Sequence, residues 1–160
     1  MAATAIGAFV YDTSLPYTQQ RQQKSASTNT NDTAVAAGNF CRFSTYQTNT
    51  LVSNLTDDTT VYGFAQSAIP GTTAEPYTAP WGAVLAPIDV LNTKFVVNLK
   101  NSGTAPVIGT AYELVVTSGV PYLDTAATSN AFLRPESLYP GDSESDTNPR
   151  YICTVVATRQ

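Results

Sequence analysis

From Gly38 onward, apolar and polar residues alternate over short runs. Phe40, Arg42 and Ser44 fall on one face of an extended chain, and Cys41, Phe43 and Thr45 on the other. Leu51 to Leu55 is a second short run. Val61-Tyr-Gly-Phe-Ala65 follows the polar turn Thr56-Asp-Asp-Thr-Thr60. Thr93-Lys-Phe-Val-Val-Asn-Leu-Lys100 is the clearest strand pattern, closed by Asn101-Ser-Gly103. Ala111 to Thr117 ends at Ser118-Gly119, and Tyr151-Ile-Cys-Thr-Val-Val-Ala-Thr158 is the last run. Val, Thr, Tyr and Phe dominate these segments and suit a pleated, half-buried surface. Only Thr125 to Asn130 fits a helical turn. The pattern predicts an all-β domain over residues 37–160, a compact barrel or sandwich of about seven to nine short strands.

The first 36 residues read differently, as an extended N-terminal arm. Residues 18 to 33 contain no large apolar side chain, so alone they bury too little surface to fold. Ahead of them lies an apolar patch of Ile6, Phe9, Val10, Tyr11, Leu15 and Tyr17. Two placements fit this order: a sticky segment on a polar tether that docks to a partner, or an edge strand joined by a long loop. Four of the ten prolines lie between Ile69 and Pro87, with Trp81 among them. Proline removes a ladder donor, so this stretch reads as an ordered loop or sheet-edge crossing. Trp81, between Pro80 and Gly82, suits either an exposed contact or the plug of a barrel end.

Composition narrows the function classes. Of 160 residues, 24 are Thr, 12 Ser, 10 Asn and 7 Gln, whereas only 12% are charged. The absence of His excludes Ser-His-Asp triads, Cys-His pairs and histidine metal sites. Eight scattered basic residues and a net charge of −4 argue against nucleic acid. No apolar run has the length to span a bilayer, and the N-terminal segment lacks the basic start of a secretory signal. Synthesis in a cytoplasm, with Cys41 and Cys153 as buried free thiols, is the resulting expectation.

The densest acidic cluster is Asp142-Ser-Glu-Ser-Asp146, between the turn signals Pro140-Gly141 and Asn148-Pro149. It reads as a solvated hairpin loop, with adventitious Ca²⁺ binding as the other reading; an EF-hand's central Gly and twelfth-position Glu are missing. Asp57 and Asp58 point to opposite faces if extended, and Asp89, Glu113 and Asp124 stand alone. No pair of carboxylates is brought together for acid–base work, and no Gly-rich phosphate loop occurs. No catalytic, cofactor or metal residue is therefore assigned. A structural or binding role remains, and nine tyrosines suit it because each offers apolar area with a polar tip.

Several C-terminal segments carry a resemblance. They are Gly109-Thr-Ala-Tyr-Glu-Leu-Val-Val116, Gly119-Val-Pro-Tyr-Leu-Asp124, Phe132-Leu-Arg-Pro-Glu-Ser-Leu-Tyr-Pro-Gly-Asp142 and Tyr151-Ile-Cys-Thr-Val-Val156. In style and order they resemble the small β-barrel decoration, or cement, proteins of tailed bacteriophages. The resemblance covers about the last 55 residues and implies homotrimers or other clusters on the outside of an icosahedral head. Such clusters bridge neighbouring subunits of the major capsid protein after synthesis in the bacterial host cytoplasm. The rival reading is a phage fibre or host-glycan-binding module that grips with Trp81 and surface tyrosines. The expected partner contacts are Phe9, Tyr11, Leu15 and Tyr17, Arg21 and Lys24 of the polar stretch, and Tyr77 and Trp81 of the Pro-rich segment.

Overall fold

The computed structural model describes residues 7–13, 20–25, 36–43, 51–54, 60–61, 63–68, 82–85, 90–100 and 104–159. The fold is all-β. Thirteen strands lie among the described residues: β1 (Phe9–Thr13), β2 (Gln20–Ser25), β3 (Phe40–Phe43), β4 (Leu51–Asn54), β5 (Thr60–Val61), β6 (Gly63–Ala65), β7 (Gly82–Leu85), β8 (Thr93–Leu99), β9 (Glu113–Thr117), β10 (Val120–Asp124), β11 (Leu133–Leu138), β12 (Arg150–Val155) and β13 (Thr158–Arg159).

The larger sheet runs β11-β12-β8-β10-β9, with β1 also paired to β8. β12 takes one edge of β8 from Lys94 to Asn98. On the other edge β1 pairs antiparallel with residues 93–96, and β10 pairs parallel with Asn98 and Leu99. β8 is therefore the spine of the sheet. Its odd residues Phe95, Val97 and Leu99 enter the core, as do Tyr151, Cys153 and Val155 of β12. A single bridge between Tyr112 and Leu133 joins the two ends of the sheet, so the barrel is not closed by a continuous ladder. β9 and β10 form a hairpin through Ser118 and Gly119, both at positive φ (51° and 77°), as a two-residue primed turn requires.

A second group of short strands pairs in a ring, β2-β4-β3-β6-β7, with β7 returning to β2. It joins the larger sheet through buried rings. Phe40 of β3 meets Phe64 at 5.1 Å, Phe132 at 5.1 Å and Phe95 at 5.0 Å. The two groups also cross at Gly38. Ala8 N–H donates to Gly38 O (3.1 Å), and Gly38 N–H donates to Ala65 O (2.8 Å). Gly38 has φ 83°, and a Cβ there would lie 2.6 Å from Ala8 O, so only glycine fits without displacing backbone.

Several expectations shift. Phe9–Thr13 is a strand of the larger sheet, with Ala8 in the same core as Phe40, and Gln20–Ser25 is a strand as well. Over these stretches residues 1–36 are integrated by backbone pairing, which the apolar-then-polar order of the sequence left open. Residues 26–35 lie outside the described residues. The expected strand number was too low because β10 and β11 contain Pro121 and Pro135 and β2 is polar throughout. Thr125 to Asn130 makes turns instead of a helical turn: Asp124 accepts from Ala126 N–H at 3.0 Å through its carboxylate and from Ala127 N–H through its carbonyl.

Candidate docking surface

The outer face of β1-β8-β12-β11 gathers the aromatic side chains Phe9, Tyr11 and Tyr139. Phe9, Val96, Ile152 and Ser137 form one cross-strand row on it. Val96 and Ile152 are buried, so this face is covered in its middle as well as lined by the core beneath. The register of β1 shifts between Val10 and Asp12, leaving Tyr11 as the extra residue. Such a bulge bends an edge strand and re-aims a side chain. Tyr11 is 47% exposed, although its ring stands edge-on to Tyr139 at 6.2 Å. Phe9 meets the same Tyr139 ring edge-on at 5.8 Å.

Tyr139 is in turn braced from the β11–β12 hairpin. The Arg150 guanidinium lies 4.6 Å from its ring centroid, within cation–π range. Asp142 holds that guanidinium with two bonds, Nε to Oδ2 at 2.8 Å and Nη2 to Oδ1 at 2.6 Å, and also accepts Arg150 N–H at 2.9 Å. These hydrogen bonds from Arg150, outweighing the burial that opposes them, hold the Asp142 carboxyl below its ordinary value. Asp146 accepts Ser143 N–H at 2.8 Å. Two carboxylates of the acidic loop thus serve its own turns and the arginine. Among the described residues no group of three or more His, Cys, Asp or Glu is placed to hold a metal ion.

Beside the rings, Lys94 pairs with Glu136 at 2.7 Å, and both are part-exposed. The hydrogen bond to Glu136 and that residue's charge raise the Lys94 ammonium above its ordinary value, with Asp12 adding to the effect. Glu136 stands at a second register shift, between Pro135 and Ser137. Both cysteines are free and buried, Cys153 in the core beneath the larger sheet and Cys41 on β3. Burial pushes the Cys41 thiol up to about 12 and raises Cys153 further, so neither is a reactive thiolate.

No known family model, curated protein or solved structure matches this chain.

Of the expected contacts, Phe9 and Tyr11 are brought together on this face. Arg21 and Lys24 belong to β2, which pairs with β7 and β4. Leu15, Tyr17, Tyr77 and Trp81 lie outside the described residues. Arg150 was missed, since its link to Tyr139 and Asp142 depends on the hairpin register. Val107 and Ile108 were missed too, although they are exposed at 65% and 53%. The signal for them was an aliphatic pair between Pro106 and Gly109, too short for a strand.

Proposed function

We propose that this chain is a virion structural protein that docks onto the outside of an assembled capsid and stabilises it by bridging neighbouring subunits of the major capsid protein. It acts as a homo-oligomer, with a trimer favoured, and takes no part in chemistry. The observation that carries this reading is Tyr11: a large aromatic side chain 47% exposed on an edge strand, yet held in place by Tyr139. Tyrosine is enriched at the energetic centres of protein interfaces. A ring already ordered before binding loses little freedom when a partner covers it. The low charge of the chain supports the same reading, because charged residues are depleted at interface cores. Many copies with several contacts each act by avidity, so each contact is modest.

The test mixes the purified chain with empty shells assembled from the major capsid protein of the same genome. Co-sedimentation at one oligomer per repeating lattice position, together with a raised melting temperature of the shell, is the expected result. An absence of co-sedimentation, combined with binding on a host-glycan array, would replace the capsid role with a receptor-binding one.

A further inference from the structure

Two strands share one edge of β8. β1 holds residues 93–96, and β10 holds Asn98 and Leu99. Leu123 O accepts Lys100 N–H at 3.0 Å, so the odd residues of β10 are the ones whose backbone faces β8. The next odd residue toward the hairpin tip is Pro121, which has no N–H to offer. On β8 the next residue of that edge is Val96, and it is paired with Phe9. β10 therefore leaves β8 at Tyr122, while its pairing with β9 continues to Thr117 and Val120. The end of the hairpin runs on past its attachment to β8. Thr117, Ser118 and Gly119 are exposed there, and Ser118 has φ 51°, a left-handed conformation that is costly for a residue other than glycine.

Base and tip of this hairpin are held in different ways. At the base Leu114 and Leu123 are fully buried in the core, Glu113 N–H donates to Ala127 O at 3.0 Å, and the Asp124 carboxylate pairs with Lys100. The tip instead meets a buried side chain from the N-terminal crossing. Asn39 is only 1% exposed, and its Nδ2 donates to Gly119 O at 2.8 Å and to Ala36 O at 3.3 Å. Both acceptors are carbonyls, which fixes the amide with its nitrogen toward them. The backbone of Asn39 is set by a bulge. Gly38 N–H donates to Ala65 O at 2.8 Å, and Ala65 N–H donates to Asn39 O at 2.9 Å, so two residues of one strand oppose one of the other. A well-fixed piece of backbone thus delivers one amide across eighty positions of sequence to the tip.

We propose that Asn39 is a latch, and that the tip Thr117–Val120 opens as a local unit when this latch is released while the base stays closed. The device is a property of the folded chain and does not depend on capsid docking. Native-state hydrogen exchange on the full chain tests it. The amides of Thr117 and Val120, opposed across the turn, report the tip; those of Lys100 and Glu113 report the base. In the native chain the tip amides should exchange through an opening that is insensitive to low denaturant, and the base amides through global unfolding with its full denaturant slope. Asn39→Asp keeps the size of the side chain but at neutral pH cannot donate, and Asn39→Ala removes the amide altogether. In both variants the tip should exchange about tenfold faster, the scale of one hydrogen bond from a buried donor, and should remain insensitive to denaturant. If folded variants exchange at the tip at the native rate, the opening does not break the Asn39 bond and the latch is overturned. If tip and base share one denaturant slope in the native chain, no local unit exists; that measurement overturns the proposal even where neither variant folds.

Discussion

Phe95 and Val96 are consecutive on β8, and an aromatic group gathers on each side of them. Beneath Phe95, the rings of Phe40, Phe64 and Phe132 are almost wholly shielded, with Phe64 and Phe95 only 4.6 Å apart. Above Val96, Phe9 and Tyr11 stand edge-on to Tyr139, but Phe9 and Tyr139 are half-buried and Tyr11 is open. Ring geometry is similar in the two groups, and edge-to-face contact contributes about 0.5–1.5 kcal/mol in either setting. What separates them is water. The inner rings lose their hydration on folding, and that burial contributes about 1.5–3 kcal/mol for each large apolar side chain. The outer rings keep part of that gain in reserve for whatever covers them.

The inner group offers the largest effect. Phe40 touches three rings drawn from both strand groups, so its removal leaves a cavity where the ring of short strands meets the larger sheet. Phe40→Ala should lower unfolding free energy by about 3–5 kcal/mol. Denaturant titration followed by far-ultraviolet circular dichroism checks this. A loss below about 1 kcal/mol would mean that the two groups do not share a core at Phe40.

A smaller effect is expected from the support under the outer rings. Asp142→Asn removes the carboxylate that fixes Arg150 against Tyr139 and should cost about 2 kcal/mol, in the range of a charge-assisted hydrogen bond. Its pH dependence is equally specific. The folded-state value lies below the ordinary 3.8, so the unfolded chain takes up the proton first as acid is added. The stabilisation is fully present above about pH 5 and is lost as pH falls through the lowered folded value. Asp124 adds a separate step in the same direction. Burial raises its carboxyl, but hydrogen bonds from Lys100 and Ala126 N–H and the Lys100 charge carry it below the ordinary value. The stability of Asp142→Asn should therefore fall less steeply between pH 5 and pH 2 than that of the native chain, while keeping the Asp124 step. An unchanged acid slope would show that Arg150 does not hold Asp142 in solution.

The same contrast explains what could be read from the residues alone. β8, β9 and β12 were legible because Phe95, Val97 and Leu99, Leu114, and Tyr151 and Cys153 repeat at the strand period with turn residues at their ends. The hairpin loop around Asp142 was legible from its flanking prolines. The sequence left undecided whether Phe9–Thr13 pairs at home or elsewhere, because a five-residue strand carries no address for its partner. Pairing with β8 depends on residues eighty or more positions away. The outer site was half legible for the same reason. Phe9 and Tyr11 stood out as apolar, but Tyr139 and Arg150 join them only through the registers of β1 on β8 and β11 on β12. Val96 shares a face of β8 with Lys94, yet it is buried whereas Lys94 is part-exposed.

Tyr11→Ala should have the smallest effect on the fold and the sharpest on binding. The side chain lies on a bulge at the sheet edge, and its described ring contact is the edge of Tyr139. Truncation should change unfolding free energy by about 0.5 kcal/mol, the usual scale for a surface position. Docking to capsid-protein shells should nevertheless weaken at least tenfold, since an interfacial tyrosine removed from a covered centre typically costs about 2 kcal/mol. Tyr11→Phe separates the two components of that loss. If area dominates, Phe retains most of the affinity; if the hydroxyl is bonded to the partner, Phe behaves like Ala. Salt supplies an independent check. Lys94, Lys100 and Arg150 are each engaged by a carboxylate within the chain. The part-exposed Lys94–Glu136 pair is of a kind that contributes only about 0–1 kcal/mol and is screened by salt, whereas the carboxylates holding Lys100 and Arg150 are largely buried and screened less. Release from the shell should therefore change little between low and high ionic strength. Strong release by salt together with an unaffected Tyr11→Ala would mean that charge carries the contact, and that the exposed aromatic face is an ordinary sheet edge, guarded by its bulge and by Asp12 against unwanted pairing.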